Sequence, residues 1–235
     1  MRRDIDITPV VEDYLKVVWS AQEWSDTPVT TKQLAERLGV GASTVSETVR
    51  RMCGMGLLEH ERYGAISLTE EGRDLAVAMV RRHRLLETYL VERLGYQWDE
   101  VHEEAEVLEH AVSDLLIDRM DAALGHPRRD PHGDPIPTAQ GELEPSSART
   151  IDELPQGTAG VVTRISDADG DMLRWFTDLG LGLDARVEVR ARREFAGVVT
   201  VAWTPGDDGP EREADLGLPA ARAVWVDVVD AEAGE

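Results

Sequence analysis

A chain of 235 residues is long enough for two or three small domains, each burying its own core. No apolar run approaches the ~18 residues that a membrane helix needs, the start MRRDIDITPVVEDY has no apolar leader, and a single cysteine, Cys53, excludes an intramolecular disulfide framework, so a cytoplasmic protein without membrane contact is expected. The net charge of −21 weighs against nucleic acid until its distribution is counted: residues 1–82 hold 11 Lys/Arg against 13 Asp/Glu, and residues 83–235 hold 14 against 33.

Apolar groups at Val10, Val11, Tyr14, Leu15, Val17, Val18 and Trp19 recur with a helical period behind Pro9 and predict a first helix over Val10–Trp19. Thr30 or Thr31 can cap a second, TKQLAERLG, which Gly39 stops, and Ala42–Met55 reads as a third ending at Gly56. Only Gly39, Val40 and Gly41 separate the second from the third, the short glycine turn of a helix-turn-helix. Leu57–Arg62 and Ala65–Leu68, joined by Tyr63-Gly64, read as a hairpin, which makes the unit a winged helix-turn-helix over 1–74. In the third helix Ser43, Thr44, Ser46 and Glu47 stand where a recognition helix meets bases and phosphates, although hydroxyls there also serve as helix caps. Lys32, Arg50, Arg51 and Arg62 are candidate phosphate anchors.

Two long amphipathic patterns follow, Thr69–Leu94 stopped by Gly95 and Asp99–Leu124 stopped by Gly125. They predict a helical domain over 75–140 whose apolar faces need a partner, for which a homodimer matched to a twofold DNA site is the economical answer. From His126 to Thr150 the chain is rich in Pro, Gly and Ser without a period and reads as a linker, with the boundary at 141–150. Short strands at 160–165, 186–191, 198–203 and 223–228, with a helix near 169–179, then predict a small β-barrel over 151–230. The fold class expected is mainly α with a small β portion.

His102, Glu106, Glu109 and His110 fall at i, i+4, i+7 and i+8 of the second long helix and so share one face. His83 and Glu87 form an i, i+4 pair on the helix before it. Any one of these is ordinarily a solvated position on an acidic helix; together they offer imidazole and carboxylate ligands on rigid elements. No CxxC or HExxH signature is present, and no nucleophile or phosphate loop accompanies the set, so an enzyme is not expected.

The segments VEDYLKVVW, LAERLGVGASTVSETVRRM, GLLEHERYGAISLTEEGRDLA, RRHRLLETYL and VHEEAEVLEHAVSD, with GDPIP and GDMLRWFTDLGLGLDARVEV after them, resemble the diphtheria-toxin-repressor family of metal-dependent regulators over almost the whole chain. The last segment is similar to the SH3-like domain that the family shares with ferrous-transport accessory proteins. The resemblance implies a homodimeric repressor of metal homeostasis genes that binds double-stranded operator DNA when loaded with a divalent metal. It implies a primary site of Asp13, Glu106, Glu109 and His110, and an ancillary site of His83, Glu87 and His102 completed by Asp169 and Asp171. Carboxylates at positions 13 and 106, where iron-sensing relatives carry sulfur, point to Mn²⁺, with Fe²⁺ as the alternative and Co²⁺, Zn²⁺ or Cd²⁺ as substitutes in vitro. A metal-independent winged-helix repressor is the other alternative. Lys16 departs from the small manganese regulators, which carry glutamate there, and argues against a binuclear cluster of their kind.

Overall fold

The computed structural model describes residues 7–24, 27–61, 64–205 and 209–229, which form three cores joined through one buried polar seam. The first core is built from α1 (Pro9–Glu23), α2 (Thr31–Leu38), α3 (Ala42–Met55) and the antiparallel hairpin of β1 (Leu58–His60) and β2 (Ile66–Leu68). Its helix ends follow local chemistry. Thr30 and Gln33 form a reciprocal capping box before α2, and Gly39 and Gly56 close α2 and α3 in the left-handed conformation that glycine adopts without cost. On α3 the buried Val45, Val49 and Met52 face inward, so that the opposite face is left to solvent.

The second core belongs to α4 (Glu70–Tyr89), which continues as a π-turn over Leu90–Leu94, and to α5 (Val101–Leu108) and α6 (Asp114–Leu124). The single helix expected over Asp99–Leu124 is thus two. Ser113 breaks it: its side chain accepts from the Leu116 amide and caps α6, leaving Glu109 and His110 in the turn between the helices. Ser113-Asp114 is a helix-start signal, masked in the sequence by an apolar pattern that runs through it.

The third core lies under a six-stranded antiparallel sheet in the order β3-β8-β4-β5-β6-β7, with β3 Arg149–Thr150, β4 Ala159–Ile165, β5 Arg186–Arg193, β6 Val198–Thr204, β7 Arg212–Gly217 and β8 Val224–Val228. Helix α7 (Gly170–Leu179) follows β4 and α8 (Leu218–Arg222) precedes β8. Four of the six strands and α7 match the sequence reading. The other two pair at the edges, and among the described residues β3 and β7 do not pair with each other, so the SH3-like unit is an open sheet rather than a closed barrel.

The stretch read as a linker is in part structural. Asp130, His132 and Asp134 are buried, and the backbone of the 130–134 turn is fastened to β4: the Ile165 amide donates to His132 O, while Gly133 (φ +90°) lies so close to Thr163 O that a Cβ would stand 2.0 Å from it. Glycine is required there by both the conformation and the space.

Candidate metal centre and DNA-binding face

Helix α1 carries Glu12, Asp13 and Lys16 toward the α5–α6 turn, one helical turn apart as the 3.6 period requires. His110 Nε2 lies 2.9 Å from Asp13 Oδ1, and His110 Nδ1 lies 2.7 Å from Glu12 Oε2. Asp13, Glu109 and His110 place donor atoms within 4.8 Å of one another. Glu106 stands beside this trio without joining it: its Oε1 is taken by Lys16 Nζ at 2.6 Å, and the same ammonium reaches Glu109 Oε1 at 2.5 Å. Burial pushes the Asp13 carboxyl above its ordinary value against the pull of His110 and Lys16. Burial depresses Lys16, but Glu109 and Glu106 more than offset it and hold the ammonium above the usual lysine value.

Glu109, fully buried, joins this region to the next. Its other oxygen lies 2.6 Å from His83 Nδ1, and His83 Nε2 lies 2.9 Å from Glu87 Oε1 and 3.2 Å from His102 Nδ1. The carboxylate that completes this second group is Asp167, 3.1 Å from His102 Nδ1. Asp169 and Asp171, expected there, lie elsewhere. Asp169 caps α7 by accepting from the Met172 amide, and Asp171 pairs with Arg174; both are exposed, because the turn after β4 presents Asp167 inward and then begins the helix.

A further pair was not anticipated. Asp130 and His132 group with Glu87, each buried, and two atoms of that group, Glu87 Oε2 and His132 Nδ1, have no hydrogen-bond partner while lying 3.7 Å apart. His132 Nε2 donates to Trp98 O, so Nδ1 is left directed at Glu87. Two buried polar atoms without a hydrogen bond beside His83, His102 and Asp167 fit a site able to hold a cation, since leaving such an atom unpaired costs about 1–3 kcal/mol. The PHGDP segment around His132 was the available signal; its prolines and glycine made it read as linker. Hard oxygen and imidazole donors throughout, with Cys53 on α3 far in sequence from every group, suit a divalent first-row metal.

Charge in the second group is arranged around its carboxylates. Burial opposes ionisation of Glu87 and Asp167, yet histidine contacts hold both well below the usual carboxylate range. Burial likewise opposes charge on the imidazoles, but Glu87 and Glu109 push His83 up to about 9, Asp167 and Glu87 push His102 up to about 10, and Glu87 pushes His132 up to about 9. Asp130 is raised well above its ordinary value by burial and by Asp134 and Glu87.

Beyond the 130–134 turn a chain of ion pairs ties the units together. Arg84 on α4 bonds Glu23 at the end of α1 (2.6 and 3.0 Å) and Asp134 (3.2 Å). Asp134 Oδ1 also accepts from Trp24 Nε1 (3.2 Å) and from Arg164 Nε (2.7 Å) at the end of β4. The Arg164 guanidinium lies against two neighbouring rings, Trp24 at 4.7 Å from its centroid and Trp225 of β8 at 4.0 Å, which themselves stand 5.8 Å apart. Three residues after Arg164 comes Asp167.

On the other side of the first unit Ser43, Thr44, Ser46, Glu47, Arg50 and Arg51 are all exposed on α3. Gly41, not a hydroxyl residue, occupies the cap position of α3, and no side chain caps it; Ser46 Oγ donates to Ala42 O. Lys32 is exposed on α2 beside Glu36. Arg62 lies outside the described residues.

Comparison with known proteins gives three family matches in chain order: the N-terminal DNA-binding domain of iron-dependent repressors over residues 6–66, their metal-binding and dimerisation domain over 69–138, and the FeoA domain over 149–228. The iron-dependent repressor IdeR of Mycobacterium tuberculosis is 35% identical over 196 residues, covering 78% of this chain and 85% of its own. The diphtheria toxin repressor of Corynebacterium glutamicum is 33% identical over 195 residues with the same coverage. Among solved structures, a manganese-dependent transcriptional repressor in complex with manganese superposes with a TM-score of 0.89 at 57% identity, covering 93% of this chain and all of that one. The manganese regulator SloR does so with a TM-score of 0.77 at 31% identity, covering 95% and 100%.

Proposed function

Because this chain belongs to the iron- and manganese-dependent family of DNA-binding transcriptional repressors, which are not enzymes, we propose that it represses metal homeostasis genes and that Mn²⁺ is the ion that activates it. The observation that carries the reading is the donor set. Asp13, Glu109 and His110 in one group and His83, Glu87, His102 and Asp167 in the other, with Asp130 and His132 beside Glu87, contain no sulfur. The similarity to a repressor solved with manganese, at 57% identity, supports the same ion here.

A bound divalent cation supplies positive charge to clustered carboxylates and a tie between elements that otherwise meet through hydrogen bonds. In the first group Asp13 contributes from α1, and Glu109 with His110 from the α5–α6 turn, so the residues of the DNA-binding unit and of the helical unit share the load. Glu12 orients the His110 ring through Nδ1 and leaves Nε2 toward Asp13. In the second group Asp167 contributes from the SH3-like unit. Exposed Val107, Leu115 and Leu116 on α5 and α6, at 72, 65 and 42%, offer an apolar face for a second copy. A dimer presents two α3 helices, and fixing α1 against the helical unit fixes their spacing.

The test is fluorescence-anisotropy titration of metal-stripped protein onto DNA from a manganese-uptake promoter of the source genome, with Mn²⁺, anaerobic Fe²⁺, Zn²⁺ or chelator. Tight binding with Mn²⁺ at lower concentration than Fe²⁺, and its loss in chelator, is the expected result. Equal binding in chelator would return the histidines and carboxylates to a purely structural role.

A further inference from the structure

The chain contains two lysines against 23 arginines. Lys32 is exposed on α2, whereas Lys16 is 8% exposed and its ammonium is held by two carboxylates, Glu106 at 2.6 Å and Glu109 at 2.5 Å. Elsewhere in the buried seam the carboxylates are met by guanidinium groups, Arg84 on Glu23 and Asp134, and Arg164 on Asp134. The exception falls at a particular place. Glu106 and Glu109, together with His83, bring donor atoms within 4.8 Å of one another and so form a third set able to hold a metal ion, between the Asp13–Glu109–His110 group and the His83–Glu87–His102–Asp167 group.

We propose that the Lys16 ammonium is the resident cation of this third set, occupying the place of a divalent ion so that each protomer responds to metal through the two flanking groups alone. The inference rests on the metal-binding reading above. An ammonium is a compact point charge on a flexible stem and fits between two carboxylate oxygens. It also supplies its charge at every metal concentration. Glu109 is fixed from both sides, Oε1 by Lys16 and Oε2 by His83 Nδ1, and Glu106 Oε1 lies a further 3.5 Å from His102 Nε2. Without the lysine, the fully buried Glu109 and the partly exposed Glu106 would face each other with only the imidazoles of His83, His102 and His110 around them, an arrangement that favours another cation.

The decisive measurement is metal uptake by the full chain at saturation, by equilibrium dialysis against Mn²⁺ with elemental analysis and electron paramagnetic resonance. Lys16→Gln is expected to take up one more Mn²⁺ per protomer than the wild type and to show a spin-coupled pair, because the added ion shares Glu109 with the Asp13–His110 group. Lys16→Arg is expected to keep the wild-type number. An unchanged number in Lys16→Gln, or a coupled pair already present in the wild type, overturns the proposal.

Should Lys16→Gln fail to fold, the unmutated protein decides the matter. With ¹⁵N-labelled lysine the buried ammonium gives a slowly exchanging signal, while that of exposed Lys32 exchanges away. Its persistence in the Cd²⁺-saturated protein is expected, and its loss on saturation would show that metal displaces Lys16. The two readings fail differently. Wild-type protein that takes up no metal sinks the metal-binding reading, whereas normal wild-type uptake with an unaltered Lys16→Gln number sinks this one alone.

Discussion

The Asp13–Glu109–His110 group and the His83–Glu87–His102–Asp167 group meet at one carboxylate, Glu109 being a member of the first and the hydrogen-bond partner of His83 in the second, yet they differ in what they hold together. The first takes Asp13 from α1 and no residue of the SH3-like unit. The second takes Asp167 from the SH3-like unit and none from α1–α3. Occupancy of the first therefore acts on α1, which shares one core with α3. Occupancy of the second acts on the docking of a unit that itself carries no candidate DNA contact, and reaches α1 by way of Glu109–Lys16 and the 130–134 turn. A ligand shifts an equilibrium only by its differential affinity for the two states, so the first group should carry most of the coupling between metal and DNA.

The strongest way to break that comparison is to delete one carboxylate from each group. Asp13→Ala is expected to abolish the Mn²⁺-dependent gain in operator affinity, a loss on the order of 100-fold by anisotropy titration, given that such couplings span about 5–150-fold. Asp167→Ala should cost about tenfold, the low end of what losing a supporting carboxylate costs. Equal losses would mean that the two groups act as one unit through Glu109.

Acidity sharpens the difference further. His83 and His132 are pushed up to about 9 and His102 to about 10, so at neutral pH all three are charged in the metal-free protein. Raised values of this kind stabilise the metal-free fold fully below about 6.5, the ordinary histidine value, and the contribution is lost as pH climbs through 9 to 10. Ligation needs a neutral ring, so each proton released makes binding about tenfold tighter per pH unit. In an Asp13→Ala background, which leaves the second group intact, Mn²⁺ affinity by calorimetry should rise at least about tenfold per unit between pH 6.5 and 8.5, while the melting temperature in chelator falls from pH 7 to 10. A flat affinity profile would remove these histidines from the ligand set.

Much of this was legible in the sequence, and what was not has a physical cause. The helix-turn-helix could be read because its caps and glycines are local signals: Thr30 with Gln33, Gly39 and Gly56 each fix a boundary regardless of the rest of the chain. His83, Glu87, His102, Glu109 and His110 could be read from helical spacing, although Ser113 splits the helix that was supposed to carry the last two. Asp167 could not, since which of Asp167, Asp169 and Asp171 turns inward depends on where α7 begins, and Asp169 is consumed as its cap. Asp130 and His132 were hidden for a different reason. They lie in an irregular segment buried by partners distant in sequence, β4 against Gly133, Trp98 on His132 and Arg84 beside Asp130 and Asp134, contacts that no local pattern announces. Lys16 was visible as an anomaly, but only the structure gives its partners.

The smallest effect tests how the SH3-like unit is seated. Arg164 touches three parts of the molecule at once: Asp134 through Nε, Trp225 of its own unit, and Trp24 beyond α1, whose ring stands 5.8 Å from that of Trp225. Arg164→Lys keeps the charge and removes the planar fork and its contacts with the two rings, which together contribute about 0.5–2 kcal/mol in a desolvated setting. Asp134 remains paired with Arg84, so the turn should stay in place while the β4 end loosens. Because Asp167 follows Arg164 by three residues, the expected outcome is a three- to tenfold weaker second group by calorimetry, with the first group changed by less than about twofold. Parallel weakening of both would show that Trp24 carries the seating of the SH3-like unit into α1 and Asp13, and the two groups would then have to be treated as a single coupled centre rather than as a direct and an indirect one.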